Sequence, residues 1–445
     1  TQDPHFASQV TIGHNRYSTN TLSNFFRVQP FTLLGHNGEI NTIKKMRYEA
    51  DMIGVPLTDG GSDSQDMNRT LETLIHRHGL TLFEAMELMF PPIHNEMKSF
   101  RPELQDLYVY FRQIWGPFAQ GPAAIVSRFG SECVFSVDAL GLRPLWMVES
   151  ETSLFFSSEQ GVLTVDEMVE EPKPIAPGEK IGVTLRPGQP IIVVPCDELA
   201  GIVLERARQR ADFTGMRQHL HYENDLPEAA PYPDVEVTDA LYSAAGWDRD
   251  GIQLIEAMGD SGAEPIRSLG HDGPLAALNA ERVNVADFLK ESVAVVTNPA
   301  IDRDREHEHF STRVVVGPRP AVSGGVDDRL RIELPAPLVL EGSNGAGSLE
   351  ATGQPSLERI IAAFEADREG GVARISLTFA RGEALKDALD RLASVAISLV
   401  KGGASLLLLD DSEANNNDRL WIDPMLAVSR IDIALKSVRL APGDN

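Results

Sequence analysis

The sequence predicts two successive units of mixed helix and strand, so the fold class we expect is α/β and α+β. Short apolar runs follow one another closely between residues 121 and 157, as they do in an antiparallel meander. After about residue 237, helix-like stretches alternate with apolar strand-like runs, which favours an α/β layered unit. Of the 445 residues, 42% are apolar and 24% charged, so large cores can form and wholesale disorder is excluded.

The first unit takes in residues 1–207. Its apolar runs predict strands at 31–35, 122–126, 133–137, 145–148, 154–157, 181–183 and 191–194. The first of these runs stops at His36-Asn37-Gly38-Glu39, where Asn-Gly is typical of a tight turn. Residues 67–88 have helical periodicity that is interrupted near His78-Gly79, so we expect a broken helix there.

Residues 208–236 lose periodicity and collect acidic residues, histidine and proline, so we interpret them as a linker. The second unit then covers residues 237–440. Helix-like stretches at 275–278, 286–295 and 356–369 alternate with strand-like runs, of which 373–378 and 404–409 are the clearest. The glycine-rich stretch 341–356 has the composition of a surface loop.

Net charge and cysteine content exclude several classes of function. Forty Lys and Arg against 65 Asp and Glu give a net charge of −25, which disfavours binding to nucleic acid or anionic membranes. The two cysteines, Cys133 and Cys196, rule out a disulfide scaffold, and also a metal or iron–sulfur site that needs three or four thiolates from this chain. We expect both to be structural, with Cys133 in the core. Few cysteines and no apolar run of membrane-spanning length predict a cytoplasmic protein.

Three polar clusters near the start of the chain carry candidate chemistry: residues 14–20, 36–42 and 60–64. Arg16 offers a guanidinium for a carboxylate. Asn37 and Gly38 offer an amide side chain and a backbone N–H that could bind an oxyanion together. Asp63 lies in a Gly/Ser loop and suits an ammonium group. Each cluster taken alone also fits an ordinary polar turn. Taken together they describe a site for an amino acid that undergoes acyl transfer.

These clusters resemble the class II glutamine amidotransferase domain of the glutamate synthase large subunit. The motifs that carry the resemblance, in family order, are His14-Asn15-Arg16-Tyr17-Ser18-Thr19-Asn20, Gln29-Pro30-Phe31, His36-Asn37-Gly38-Glu39-Ile40-Asn41-Thr42, Ser62-Asp63-Ser64, Gly121-Pro122-Ala123-Ala124, Asp138-Ala139-Leu140-Gly141-Leu142-Arg143-Pro144, Ser157-Ser158-Glu159-Gln160-Gly161-Val162 and Pro177-Gly178-Glu179. Residues 264–276 and 296–306 resemble the central domain of the same enzymes, which other class II amidotransferases lack.

The resemblance implies an N-terminal-nucleophile hydrolase fold, an αββα sandwich, followed by the α/β central domain. It implies that Arg16 binds the α-carboxylate of glutamine, that Asp63 binds its α-ammonium, and that Asn37 and Gly38 form the oxyanion hole. Ammonia would pass through a channel to a flavin site, where 2-oxoglutarate is converted to glutamate. FMN and an iron–sulfur cluster would be bound by other domains of the large subunit, with a small electron-transfer subunit or ferredoxin as a further partner.

One departure from the family concerns the nucleophile. The family uses a cysteine at the mature N-terminus, well upstream of the His-x-Arg cluster, whereas Thr1 precedes His14 by only 13 residues. We therefore expect a piece of a glutamate synthase that lacks the nucleophile and the flavin domain and is inactive by itself. Two alternatives stay open: a class II amidotransferase with another acceptor, and a pseudo-amidotransferase that binds an amino acid without catalysis. His307 and His309 lie in a charged run, for which we favour a solvated helix face over a metal site.

Overall fold

The computed structural model describes residues 3, 5, 8–15, 24–40, 43–116, 119, 121–234, 236–263, 285, 311–414 and 418–438. These residues form two compact units. Unit 1 takes those within 1–220 together with 311–331, and unit 2 takes those within 221–285 together with 332–438. Within these ranges, no helix combines the length and the hydropathy that a membrane crossing requires.

Unit 1 is built on two antiparallel sheets. Its strands up to residue 194 are β1 (Leu34–Gly38), β2 (Ala123–Phe129), β3 (Glu132–Val137), β4 (Trp146–Glu149), β5 (Leu154–Ser157), β6 (Lys173–Pro174), β7 (Lys180–Thr184) and β8 (Ile192–Val194). One sheet has the order β1-β2-β3-β7-β8 and the other the order β5-β4-β6. The strands expected from the short apolar runs are confirmed and pair antiparallel, but β2 and β3 lie in one sheet and β4 and β5 in the other, so they do not form a single meander. Strand β1 lies at an edge of the larger sheet and continues through Asn37 and Gly38, where the sequence predicted a tight turn.

The helices of unit 1 are α1 (Lys44–Met52), α2 (Asp63–His76), α3 (Leu82–Met89), α4 (His94–Met97), α5 (Pro102–Ile114), α6 (Cys196–Arg208) and α7 (Phe213–Gln218). The break expected within residues 67–88 separates α2 from α3. Ser62 and Thr81 cap these two helices through capping boxes, so local sequence determines where each helix begins. Gly79 adopts a left-handed conformation with φ of 71°, which ends the first helix sharply.

The layers follow from alternation along the strands. On one face of the larger sheet, side chains such as Ile125 and Val134 join the helical residues in the main core. On the opposite face, Ala124 and Val137 pack with Leu145 and Ile175 between the two sheets. Unit 1 thus has a helical layer, the five-stranded sheet and the three-stranded sheet, which are three of the four layers of the sandwich that the family resemblance implies.

Two segments of unit 1 depart from the sequence-based division. Helix α7 lies within the range 208–236 that we interpreted as a linker. It belongs to unit 1, because Phe213 and Met216 are buried in the main core. Residues 311–331 also belong to unit 1, although the sequence-based division places them in the second unit. Within this segment Val322 is buried in the same core. The ion pair between Arg319 and the buried Glu49 of α1 adds a second attachment.

Three further strands are short: β9 (Leu220–His221), β10 (Val314–Val316) and β11 (Arg331–Leu334). The further elements of unit 2 are α8 (Asp239–Ala244), α9 (Arg249–Ser261), α10 (Gly342–Leu349), α11 (Leu357–Asp367), β12 (Val372–Ser376), β13 (Thr378–Ala380), α12 (Leu385–Lys401), β14 (Leu406–Asp410), β15 (Arg419–Trp421) and α13 (Pro424–Ser437). Strands β12 and β14 are parallel, with α12 between them in the chain, so the expected alternation of helix and apolar strand is confirmed.

One expectation for unit 2 is wrong. Residues 341–356, which composition suggested to be a loop, contain the helix α10. The carboxylate of Glu358 accepts the Gly342 N–H at 2.7 Å, and that of Asp234 accepts the Asn344 N–H at 3.2 Å, so side chains distant in sequence satisfy the first turn. The helix expected at 356–369 is confirmed by α11, and those at 275–278 and 286–295 lie outside the described residues.

Candidate functional site

The end of β1 presents a backbone N–H at an open edge of the sheet. Glu39 N–H donates to Pro122 O at 2.9 Å and Arg128 N–H donates to Leu33 O at 2.9 Å, so the odd-numbered residues of this stretch form the hydrogen-bonded pairs with β2. Gly38 faces Ala123 and therefore occupies a non-hydrogen-bonded pair. Its N–H points away from β2, toward the side where the described sheet has no further strand.

Only glycine fits at this position. Gly38 has φ of 137°, a conformation that other residues rarely adopt. A β-carbon added there would lie 1.8 Å from Pro122 O and 2.7 Å from the Pro122 carbonyl carbon. The close approach of β2 to this point thus explains the glycine of the Asn-Gly pair, in addition to the orientation of its N–H.

The side chains of His36 and Asn37 lie on opposite faces of β1, as alternation requires. The Asn37 side-chain amide donates to Ser158 Oγ at 2.7 Å, and Ser158 comes directly after β5. An acceptor thus already lies in front of the Asn37 amide. A ligand oxygen in the same place could receive this hydrogen bond together with one from Gly38 N–H.

Asp63 begins α2 and is connected to β1 through two side chains. Its Oδ1 accepts the Ser64 N–H at 2.7 Å and lies 3.1 Å from Ser64 Oγ. Ser64 Oγ lies 3.0 Å from His36 Nδ1, and Gln29 Nε2 lies 3.3 Å from the same ring nitrogen. The Gln29 side chain also accepts the His36 backbone N–H at 2.6 Å. This network holds the start of α2 against the strand that carries Asn37 and Gly38.

Burial lowers the pKa of His36, while the nearby Asp63 carboxylate opposes that shift. The imidazole is therefore neutral at neutral pH and can take part in the network as donor or acceptor. Its Nε2 is buried and has no hydrogen-bond partner in the described structure. In the described structure only one ring nitrogen, Nδ1, has hydrogen-bond partners, and it faces Ser64. We infer that His36 holds Ser64 and, through it, Asp63.

Several residues singled out from the sequence lie outside the described residues. They are Thr1, Arg16, the two central-domain motifs at 264–276 and 296–306, and the histidines at 307 and 309. The structure thus brings Asn37, Gly38 and Asp63 into one region without placing Arg16. In the parts of the chain it does describe, it contains no cluster of three or more His, Cys, Asp or Glu residues suited to a metal ion.

Neither cysteine has the surroundings of a nucleophile. Cys133 is buried in β3, as expected, and burial raises the pKa of its thiol to about 11. Cys196 begins α6, and burial raises the pKa of its thiol as well. Because the thiolate is the reactive form, both side chains are unsuited to attack an amide.

Four residues of the site network were not assigned a role from sequence: Gln29, His36, Ser64 and Ser158. All four lie inside the motifs that carry the family resemblance, and this was the signal available for them. Their contacts join positions 7 to 121 residues apart in the chain, so no local pattern could pair them.

Comparison with known proteins shows which families the two parts of the chain resemble. Residues 1–194 match the family model of class-II glutamine amidotransferases, and residues 240–441 match that of the glutamate synthase central domain. A ferredoxin-dependent glutamate synthase of Synechocystis is 27% identical over 97% of this chain and 28% of its own length. The NADH glutamate synthase of Saccharomyces cerevisiae is 28% identical over 96% of this chain and 20% of its own. The chain is homologous to glutamate synthases.

The homology to glutamate synthases extends across both units. The chloroplastic ferredoxin-dependent glutamate synthase of spinach is 30% identical over 97% of this chain and 27% of its own length. The chain thus spans about a quarter of the length of these curated relatives. The region aligned with a glutamine phosphoribosylpyrophosphate amidotransferase from B. subtilis covers 41% of this chain and 34% of that one, with 17% identity and a TM-score of 0.28. This likeness carries no argument.

Proposed function

We propose that this chain supplies the glutamine-binding part of a glutamate synthase. Glutamine is hydrolysed to glutamate and ammonia, and the ammonia passes to a flavin site that forms a second glutamate from 2-oxoglutarate. The observation that carries the proposal is the end of β1, where the Asn37 amide and the outward Gly38 N–H lie on a strand that Ser64 and His36 connect to Asp63. The homology to glutamate synthases supports the choice of reaction.

Each site residue has a chemical role in this proposal. The Asp63 carboxylate binds the α-ammonium of glutamine through Oδ2, because Ser64 occupies Oδ1. Arg16 binds the α-carboxylate, as the motif resemblance suggests. The Asn37 amide and the Gly38 N–H stabilise the oxyanion formed when the side-chain amide is attacked. One such donor contributes about 2.7–4 kcal/mol to the transition state in a well-studied hydrolase.

The cofactors and the partner protein are assigned from the family resemblance. We propose that FMN and an iron–sulfur cluster belong to other domains of the large subunit, and that a small electron-transfer subunit or ferredoxin is a further partner. The residues of this chain do not fit the iron–sulfur cluster, since the chain has two cysteines and a cluster needs three or four thiolates.

We retain the assignment of the amidotransferase and central domains to the two halves of the chain. Because α7 packs in unit 1, we now begin the connection between them after Leu220. The cytoplasmic location stays a prediction.

Glutamine binding to the 445-residue chain tests the proposal. Equilibrium dialysis with radiolabelled L-glutamine should show weak but saturable binding. Asp63→Asn should weaken binding about 10- to 100-fold, because a hydrogen bond to a charged group is lost. The matched control is Asp59→Asn, which removes the same charge from an exposed side chain in the loop just before α2 and should leave the affinity unchanged.

A second ligand checks the role assigned to Asp63. 4-Carbamoylbutanoate is glutamine without its α-amino group, so its weaker binding should not respond to Asp63→Asn. Absence of saturable glutamine binding, or equal effects of the Asp63 and Asp59 variants, would contradict the proposal. Equal losses for both ligands in Asp63→Asn would instead show a general defect of the site.

A further inference from the structure

Asp138 is bonded to an unusual number of backbone groups. Its carboxylate accepts four N–H groups, each at 3.1 Å: those of Ala123 and Arg143 on Oδ2 and those of Leu140 and Leu142 on Oδ1. The main chain of Asp138 adds three bonds of 2.9 Å, from its N–H to Ala123 O and to its carbonyl from the N–H groups of Gly141 and Gly178. One residue thus joins the start of β2, the 139–143 turn and the turn at 177–178.

These bonds end beside the candidate oxyanion hole. Ala123 is the residue opposite Gly38 across the β1–β2 ladder. Pro122, directly before it, places its carbonyl against Gly38 Cα and accepts the Glu39 N–H at 2.9 Å. The position of the 122–123 backbone therefore sets the position of the Gly38 N–H, and Asp138 holds that backbone from the side away from β1.

We propose that Asp138 is a positioning residue for the oxyanion hole, acting through Ala123 and Pro122 on Gly38. The inference rests on the proposed function, since it takes Gly38 N–H as an oxyanion donor. It also gives a role to two motifs that the site otherwise leaves unused, at residues 138–144 and 177–179.

Stabilisation of an oxyanion requires that the Gly38 N–H be held in a fixed position. An oxyanion donor is effective only if it is held in place before charge develops, because any reorganisation subtracts from the stabilisation. Gly38 lacks a side chain and lies at a sheet edge, so its position depends on its contact with the Pro122 backbone. A carboxylate that accepts several N–H groups restrains the adjoining backbone without touching the substrate, so the effect on the ground state is small and the effect on a tetrahedral species is large.

The first test is hydrogen exchange resolved to single amides in Asp138→Asn. An amide has one acceptor atom where the carboxylate has two, so two of the four N–H groups lose their partner. The Glu39 N–H, which reports the contact of Pro122 with β1, should exchange about tenfold faster, equivalent to roughly one lost hydrogen bond. The matched control is Asp212→Asn, since Asp212 also accepts a backbone N–H in unit 1, that of Gly215 in the first turn of α7 at 2.9 Å. Unchanged exchange at Glu39 overturns the inference.

The second test separates positioning from general support of the fold. 2-Amino-4-sulfamoylbutanoate resembles glutamine but has a tetrahedral sulfonyl in place of the side-chain carbonyl. Asp138→Asn should weaken its binding about fivefold to tenfold, with less than about a twofold change for L-glutamine. Equal losses for both ligands would mean a merely structural role and would overturn the inference. If neither ligand binds the unsubstituted chain, the proposed function fails, while exchange at Glu39 still decides whether Asp138 holds the Gly38 backbone.

Discussion

Substitution of Gly38 by alanine is the sharpest test of the site geometry. The new β-carbon would lie 1.8 Å from Pro122 O, where real β-carbons essentially never come closer than 3.0 Å, so β1 and β2 must separate by about 1.2 Å at this point. The neighbouring atoms are backbone and cannot rotate away. The backbone conformation adds about 1–3 kcal/mol and the overpacking about 1–3 kcal/mol, giving a destabilisation of about 2–6 kcal/mol.

Gly130→Ala provides the control for the backbone angle alone. Gly130 has φ of 58° in the β2–β3 turn, and no atom lies within 4 Å of its added β-carbon. Its substitution should cost only about 1–2 kcal/mol. Urea unfolding is best followed by hydrogen exchange in β2 and β3, so that unit 2 does not contribute. If Gly38→Ala costs no more than Gly130→Ala, the close approach of Pro122 and the N–H orientation derived from it are wrong.

Two further predictions concern buried titratable groups of unit 1. Because burial raises the Cys133 pKa from its ordinary 9.0 to about 11, its contribution to stability is complete below pH 9 and is lost as the pH rises toward 11. Urea titrations across that range should show the unsubstituted chain losing about 2 kcal/mol more than Cys133→Ala, and parallel curves would refute this. Lys180 and Glu87 form an ion pair of 3.4 Å with side chains 4% and 2% exposed, so Lys180→Met should cost about 3–5 kcal/mol. Lys173→Met, which breaks an exposed pair with Glu170, should leave the urea midpoint unchanged, and equal effects would contradict the prediction.

The sequence predicted well those features that depend on neighbouring residues. The break between α2 and α3 followed from His78-Gly79, whereas the capping boxes at Ser62 and Thr81 that begin these helices were found in the structure. The runs at 373–378 and 404–409 became strands because apolar β-forming residues bounded by turns have few other conformations. The family resemblance, carried by short motifs in a fixed order, was confirmed by the family models and the curated relatives.

Features that depend on contacts between distant residues needed the tertiary structure. Composition predicted a loop at 341–356 and a linker from 208, yet Glu358 caps α10 and the core receives Phe213 of α7. A glycine-rich or polar segment becomes helical when distant groups satisfy its backbone or bury its few apolar side chains, and no local pattern records those partners.

The same division applies to the candidate site. The sequence by itself determined which chemical groups are available, since an amide, a glycine N–H and a carboxylate are properties of Asn37, Gly38 and Asp63 alone. Only the tertiary structure decided that the Gly38 N–H points out of the sheet, because that direction depends on the register with β2 and on the Pro122 carbonyl. It also decided that Asp138 supports this arrangement, since hydrogen bonds across 15 residues form only after the strands have paired.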